Sequence, residues 1–108
     1  MSWATNAIEK LKNGETVQIR PKGSSMKGRI ESGNLVTITP FSEEMTEESL
    51  EVGDAVLVTV RGNDYLHLIK AVKWSGEKRQ YQIGNNRGRI NGWTNFSKIY
   101  GKVTCVES

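Results

Sequence analysis

The chain has 108 residues, 36% of them apolar and 25% charged, with a net charge of +3. That is enough for one soluble globular domain with a modest core, and too apolar for a disordered chain. No apolar run is long enough to cross a membrane as a helix, and the first six residues carry neither the basic nor the apolar region of a secretion leader. Cys105 is the single cysteine, so no internal disulfide can form. The expectation is therefore a cytoplasmic protein with no membrane association. Charge is unevenly spread. Residues 1–54 hold six Lys/Arg and nine Asp/Glu, and residues 55–108 hold nine and three. The plainest reading is two halves that balance across one fold; the other is a basic face for nucleic acid.

In chain order, Ser2 to Lys12 has helical spacing. Trp3, Ala7, Ile8 and Leu11 share one face, Ser2 caps the start and Asn13-Gly14 ends it. Glu15 to Arg20 alternates as a strand that Pro21 closes. A polar turn follows, Gly23-Ser24-Ser25-Met26-Lys27-Gly28-Arg29, and then a strand from Leu35 to Thr39. Phe41 to Glu51 is an acidic loop with a helical turn. Ala55 to Val60 is an apolar strand, Gly62-Asn63-Asp64 a hairpin turn, and Tyr65 to Trp74 the return strand. Arg79 to Ile83 makes a fifth strand, Gly84 to Phe96 a loop rich in Gly, Asn and Arg, and Ile99 to Val106 a sixth. The expected fold is a compact, mostly antiparallel β domain with a short N-terminal helix. The helix occupies residues 1–14 and the β domain residues 15–108.

Two residues could carry chemistry together. Ser25 lies at the centre of its turn. Alternation along the return strand sets Lys70 on an apolar face with Leu66, Leu68 and Val72, and sets His67 on the opposite face with Tyr65 and Ile69. An apolar site lowers a lysine's pKa and lets the neutral amine accept a serine's proton. The bland alternative is a lysine snorkelling to water at a strand edge. The single histidine, facing away, does not fit a Ser-His arrangement, and no residues have metal-ligand spacing, so no cofactor is expected.

The ordered stretches Gly23-Ser24-Ser25-Met26, Gly33-Asn34-Leu35-Val36, Gly53-Asp54-Ala55-Val56, Leu68-Ile69-Lys70, Gly84-Asn85-Asn86-Arg87 and Gly101-Lys102-Val103 are similar to the boxes of the type I signal peptidase and LexA-type repressor peptidase superfamily. The resemblance covers residues 15–106. It implies a serine endopeptidase with a Ser25 nucleophile and a Lys70 base, acting on an extended peptide or protein. It also implies an oxyanion turn around Gly23, Ser24 and the Ser25 amide, with Met26 packed beneath. Asp54, Asn85 and Arg87 become structural residues near the site. The chain departs from the family at Gly28, where proline is usual, and at Asn34 and Asn85, where aspartate is usual. It also has Gly23 where some members place a second oxyanion serine. The competing readings are an inactive fold relative serving as a binding or regulatory module, and, behind it, a nucleic-acid binder using Arg87, Arg89, Lys98 and Lys102 with Trp93 as a stacking platform. A homodimer is left open.

Overall fold

A computed structural model describes residues 3–108. A helix, α1 (Thr5–Lys12), is followed by seven strands: β1 (Val17–Ile19), β2 (Leu35–Pro40), β3 (Ala55–Val60), β4 (Asn63–Ser75), β5 (Lys78–Gly84), β6 (Ile90–Asn95) and β7 (Ile99–Glu107). They form one antiparallel sheet in the order β1-β2-β7-β3-β4-β5-β6. The mostly antiparallel β architecture with one short N-terminal helix is therefore as expected. No helix among the described residues is long and apolar enough to cross a membrane.

α1 begins later than its spacing suggests, with Ala4 at the cap position and no side-chain cap. The expected Ser2 cap lies outside the described residues. Its other end is firmly closed. Gly14 takes φ +82°, its amide bonds the Leu11 carbonyl, and the Glu15 amide bonds the Lys10 carbonyl, which together satisfy the last carbonyls of the helix. Lys10 and Lys12 in the last turn suit the negative end of the helix dipole. Ala4, Ala7 and Leu11 are buried, whereas Trp3 is 58% exposed. Trp3 thus stands off the face that it was expected to share.

The sheet separates two apolar clusters, and alternation along β3 assigns its residues to them. Ala55 and Leu57 join Val17, Val36, Ile38, Leu66, Leu68 and α1 on one face, and Val56, Val58 and Val60 join Ile69, Tyr81, Ile83 and Ile99 on the other. Tyr81 is fully buried, and its hydroxyl donates to Glu47 Oε2 at 2.7 Å, anchoring the acidic 41–51 loop to β5. Burial first, and that hydrogen bond next, push the Tyr81 phenol up to about 12. The hairpin between β3 and β4 is tighter than expected. Val60 pairs with Asn63, and the two linking residues, Arg61 and Gly62, have φ +51° and +81°, as a mirror-image turn requires.

The larger difference lies after Gly84. The stretch read as a loop as far as Phe96 contains β6, which pairs with β5 from Gln80↔Asn95 to Gly84↔Ile90. Only residues 85–89 are loop. Asn and Gly are weak strand formers, and here tertiary pairing outweighs their local preference.

Gly101 in β7 is where the helix closes on the sheet. A Cβ there would lie 2.8 Å from Ile38 Cγ2, 2.9 Å from the Thr39 carbonyl oxygen and 3.0 Å from Leu11 Cδ2. Gly101→Ala should therefore force α1 off the sheet and cost about 1–3 kcal/mol, as overpacking typically does. Urea unfolding should show a lower midpoint with an unchanged slope.

Candidate functional site

Ser25 sits in a turn that is fixed from below and from one side. Beneath it, Met26 and Ile30 are buried in the helix-side cluster. The amides of Arg29 and Ile30 both bond the Met26 carbonyl, and the Gly28 amide, at φ +98°, bonds Glu31 Oε2 at 2.8 Å. From the side comes the 85–89 loop. The Asn86 amide donates to the Ser25 carbonyl at 3.0 Å, Asn86 Nδ2 to the Lys27 carbonyl at 2.8 Å, and Arg87 Nη1 to Ser24 Oγ at 3.1 Å. The loop is itself folded around buried Asn85, whose Oδ1 accepts the Arg87 and Arg89 amides. Asn85 and Arg87 are thus structural partners of the serine turn. Asp54 accepts from the Glu51 amide and pairs with Lys102 Nζ at 3.2 Å, tying the start of β3 to β7. Asn34 closes the turn ahead of β2 by accepting the Glu31 amide.

The side chain that meets the Ser25 hydroxyl is His67, not Lys70. His67 Nε2 lies 3.3 Å from Ser25 Oγ, and His67 Nδ1 lies 2.7 Å from Asn91 Oδ1. This corrects the expectation that His67 points away and that Ser25 and Lys70 share a hydrogen bond. His67 keeps its regular pairing with Val56 and lies on the Tyr65 face that alternation gives it; it is the Ser25 turn that lies against this face. For Lys70 the cause is a bulge. Ile69 pairs with Ile83 and Ala71 with Gln82, so Lys70 is an extra residue without a partner in the ladder. Alternation changes phase there, and Ile69 and Val72 pack against the same cluster although they are three positions apart. Lys70 is consequently half-buried rather than enclosed with Leu66 and Leu68. Its stem lies along Gly84, where a Cβ would come within 3.1 Å of Lys70 Cγ and 2.5 Å of the Arg89 carbonyl oxygen.

A second bulge delivers Asn91. Ile83 pairs with Gly92 and Gly84 with Ile90, leaving Asn91 as the extra residue of β6. Bulges redirect side chains in this way and recur beside functional sites. The signal in the sequence was Asn91-Gly92 inside a strand, for Gly92 adopts φ +141° and packs against Val60.

The geometry dictates the tautomer. An amide oxygen opposite Nδ1 requires the ring proton on Nδ1, which leaves Nε2 to accept from the serine hydroxyl. Ser25 is exposed, His67 is buried, and the Tyr65 ring stacks on the imidazole with centroids 4.8 Å apart. Burial pulls the His67 pKa below its ordinary 6.5, the Asn91 hydrogen bond acts upward, and the charges of Arg89 and Lys70 act downward again. A groove of about 550 Å³ opens beside Ser25, with Ile19, Met26, Ile30 and Leu66 among its apolar walls. On one flank runs the chain from Ile19 to Gly23, and on the other Asp64 to His67. The β4–β5 ladder begins only at Leu68, so among the described residues Tyr65, Leu66 and His67 are strand-paired with β3 alone.

Among the described residues no group of three His, Cys, Asp or Glu could hold a metal ion. Trp93, the expected stacking platform, has one face covered by Lys73 Nζ, 4.1 Å from the ring centroid. No family model, curated protein or solved structure matches the chain.

The depressed pKa has a definite sign. Protonating His67 is easier in the unfolded chain, so stability should fall as pH drops below about 6.5 and level off once the folded-state pKa is passed. An NMR titration of the single imidazole should give a midpoint below 6.5, and Asn91→Asp, which sets a negative charge on Nδ1–H, should raise it.

Proposed function

We propose that the chain is a serine hydrolase acting on extended peptides, with Ser25 as nucleophile and His67 as general base. The observation that carries the reading is the continuous line Ser25 Oγ, His67 Nε2, His67 Nδ1, Asn91 Oδ1. The 3.3 Å first step is within the looser range found before substrate binds.

In the proposed cycle the Ser25 oxygen attacks the peptide carbonyl as its proton passes to Nε2. The imidazolium then gives that proton to the leaving amine, forming an acyl-serine. Water repeats the sequence, its proton passing to Nε2 and then back to Ser25 as the acid leaves. Asn91 is a positioning residue: it holds the ring in the tautomer that can accept. A neutral amide does this without adding a full charge, as the asparagine of Cys-His-Asn sites does. Among the described residues the amides of Ser24, Ser25 and Met26 are not used within the turn, and they are candidate donors to a developing oxyanion. An extended substrate fits the groove because β4 from Tyr65 to His67 offers an edge for strand addition.

Lys70 takes a different role from the one implied by the signal peptidase and LexA-type resemblance. Its charge keeps His67 easier to deprotonate, and it makes no hydrogen bond to Ser25. The neutral Asn91 favours a second reading, in which the same turn and groove bind a peptide without cutting it.

The test is cleavage of a random peptide library by purified protein. Ser25→Ala and His67→Ala should each lower kcat/KM by at least about a hundredfold, the scale of general-base catalysis. Lys70→Gln should cost less than about tenfold and move the ascending limb of the pH profile upward, since a positive neighbour of the imidazole is gone. In the wild type that limb should lie below 6.5, with a plateau through neutrality. Peptide binding without turnover would favour the second reading. Full activity in His67→Ala would remove the histidine base.

A further inference from the structure

The charge asymmetry of the chain becomes local in the fold. Four cations lie in the segment that builds the serine turn and its groove: Arg20, Lys22, Lys27 and Arg29. Three more approach from the other side. Arg87 reaches Ser24 Oγ, and Arg89 and Lys70 are near enough for their charges to act on His67. Against these, the groove is lined by two carboxylates, Glu31 and Asp64. Glu31 is turned to the Gly28 amide, and Asp64 Oδ1 accepts from the Thr59 hydroxyl at 2.6 Å. Among the described residues no carboxylate lies within ion-pair distance of any of the seven cations. Glu47 and Glu48 of the 41–51 loop act elsewhere, around Tyr81 and Arg79 on the β5 side.

We propose that the groove selects extended peptides with acidic side chains flanking the segment presented to Ser25. This rests on the peptide-hydrolase reading above and adds the substrate class to it. The occupant follows from charge complementarity with the form of the groove. Its walls are largely apolar and one flank is the β4 edge, which suits a β-extended chain with alternate side chains inward. Arg20 and Lys22 line the groove, Lys27 and Arg29 stand in the same segment, and its two carboxylates are hydrogen-bonded within the protein, which suits carboxylates on the outward positions of the peptide. Arg20 and Lys22 are the selecting pair, since both line the groove and both are exposed. Arg20 is partly ordered already, its Nη1 donating to the Gly33 carbonyl at 2.8 Å. A nucleic-acid strand shares the charge but lacks the main-chain donors and acceptors that the β4 edge would pair with, so the peptide is the favoured occupant.

The test uses three fluorescent peptides of equal length, matched except for Glu, Gln or Lys at the flanking positions. Binding to the Ser25→Ala protein is read by anisotropy, and cleavage is measured with the wild type. The acidic peptide should bind about tenfold more tightly than the Gln peptide at about 50 mM salt, the sum of two or three exposed charge pairs, and the ratio should shrink at about 300 mM. Replacing Arg20 and Lys22 together by Gln should bring the ratio to within about twofold of unity. Acidic preference in binding with no peptide cut would sustain the selection and remove the hydrolase reading. Cleavage with no acidic preference would overturn the selection and leave the hydrolase standing. Absence of peptide binding, or tighter binding of an oligothymidylate of equal charge, would also overturn it, the latter in favour of nucleic acid.

Discussion

Two unpaired residues facing neighbouring positions of β5 decide where the side chains of the site point. Ile83 pairs regularly with Ile69 and with Gly92, and immediately beyond it each neighbouring strand carries one residue too many, Lys70 in β4 and Asn91 in β6. A regular ladder would send these side chains to faces set by strict alternation. The bulges cancel that phase. Asn91 turns to the imidazole of His67, and Lys70 lays its stem on Gly84, the glycine that begins the loop clamping Ser25. Buried Ile83 makes the arrangement hard to relax, because a slip of β4 by one residue would expose Ile69, now buried with Tyr81 and Val58.

The electrostatics follow from the same placement. His67 is buried against Tyr65 and faces a neutral amide, with cations from two elements nearby. All but the Asn91 hydrogen bond favour the uncharged ring, which is the form that can receive a proton at neutral pH. An aspartate at position 91 would stabilise the imidazolium and trade some of that readiness for a better-supported intermediate. The neutral partner therefore suits a site already surrounded by positive charge.

Much of this was legible in the residues. Periodicity located the helix, and every strand but one, to within a few positions. The Gly23 to Arg29 turn stood out through its glycines and hydroxyls, and Met26 was expected beneath it, where it lies buried. β6 was not legible, because its two Asn residues and its Gly are held by pairing rather than by propensity. Alternation puts His67 on the face of Tyr65, where it lies, but no local signal shows that the Ser25 turn packs against that face; at Lys70 alternation breaks, and a bulge leaves little trace when neither residue beside it is glycine. Asn91-Gly92 did carry such a trace. The serine and its turn were therefore accessible from local chemistry, whereas the serine's partner depended on register across three strands.

The central claim is that His67, and not Lys70, activates Ser25. The most direct measurement is the rate at which a fluorophosphonate forms an adduct on Ser25, followed by intact mass and located by peptide mapping. The account predicts one adduct at Ser25, forming at a rate that falls by at least about a hundredfold in His67→Ala and stays within about tenfold in Lys70→Gln. An adduct rate that is unchanged in His67→Ala and lost in Lys70→Gln would contradict it.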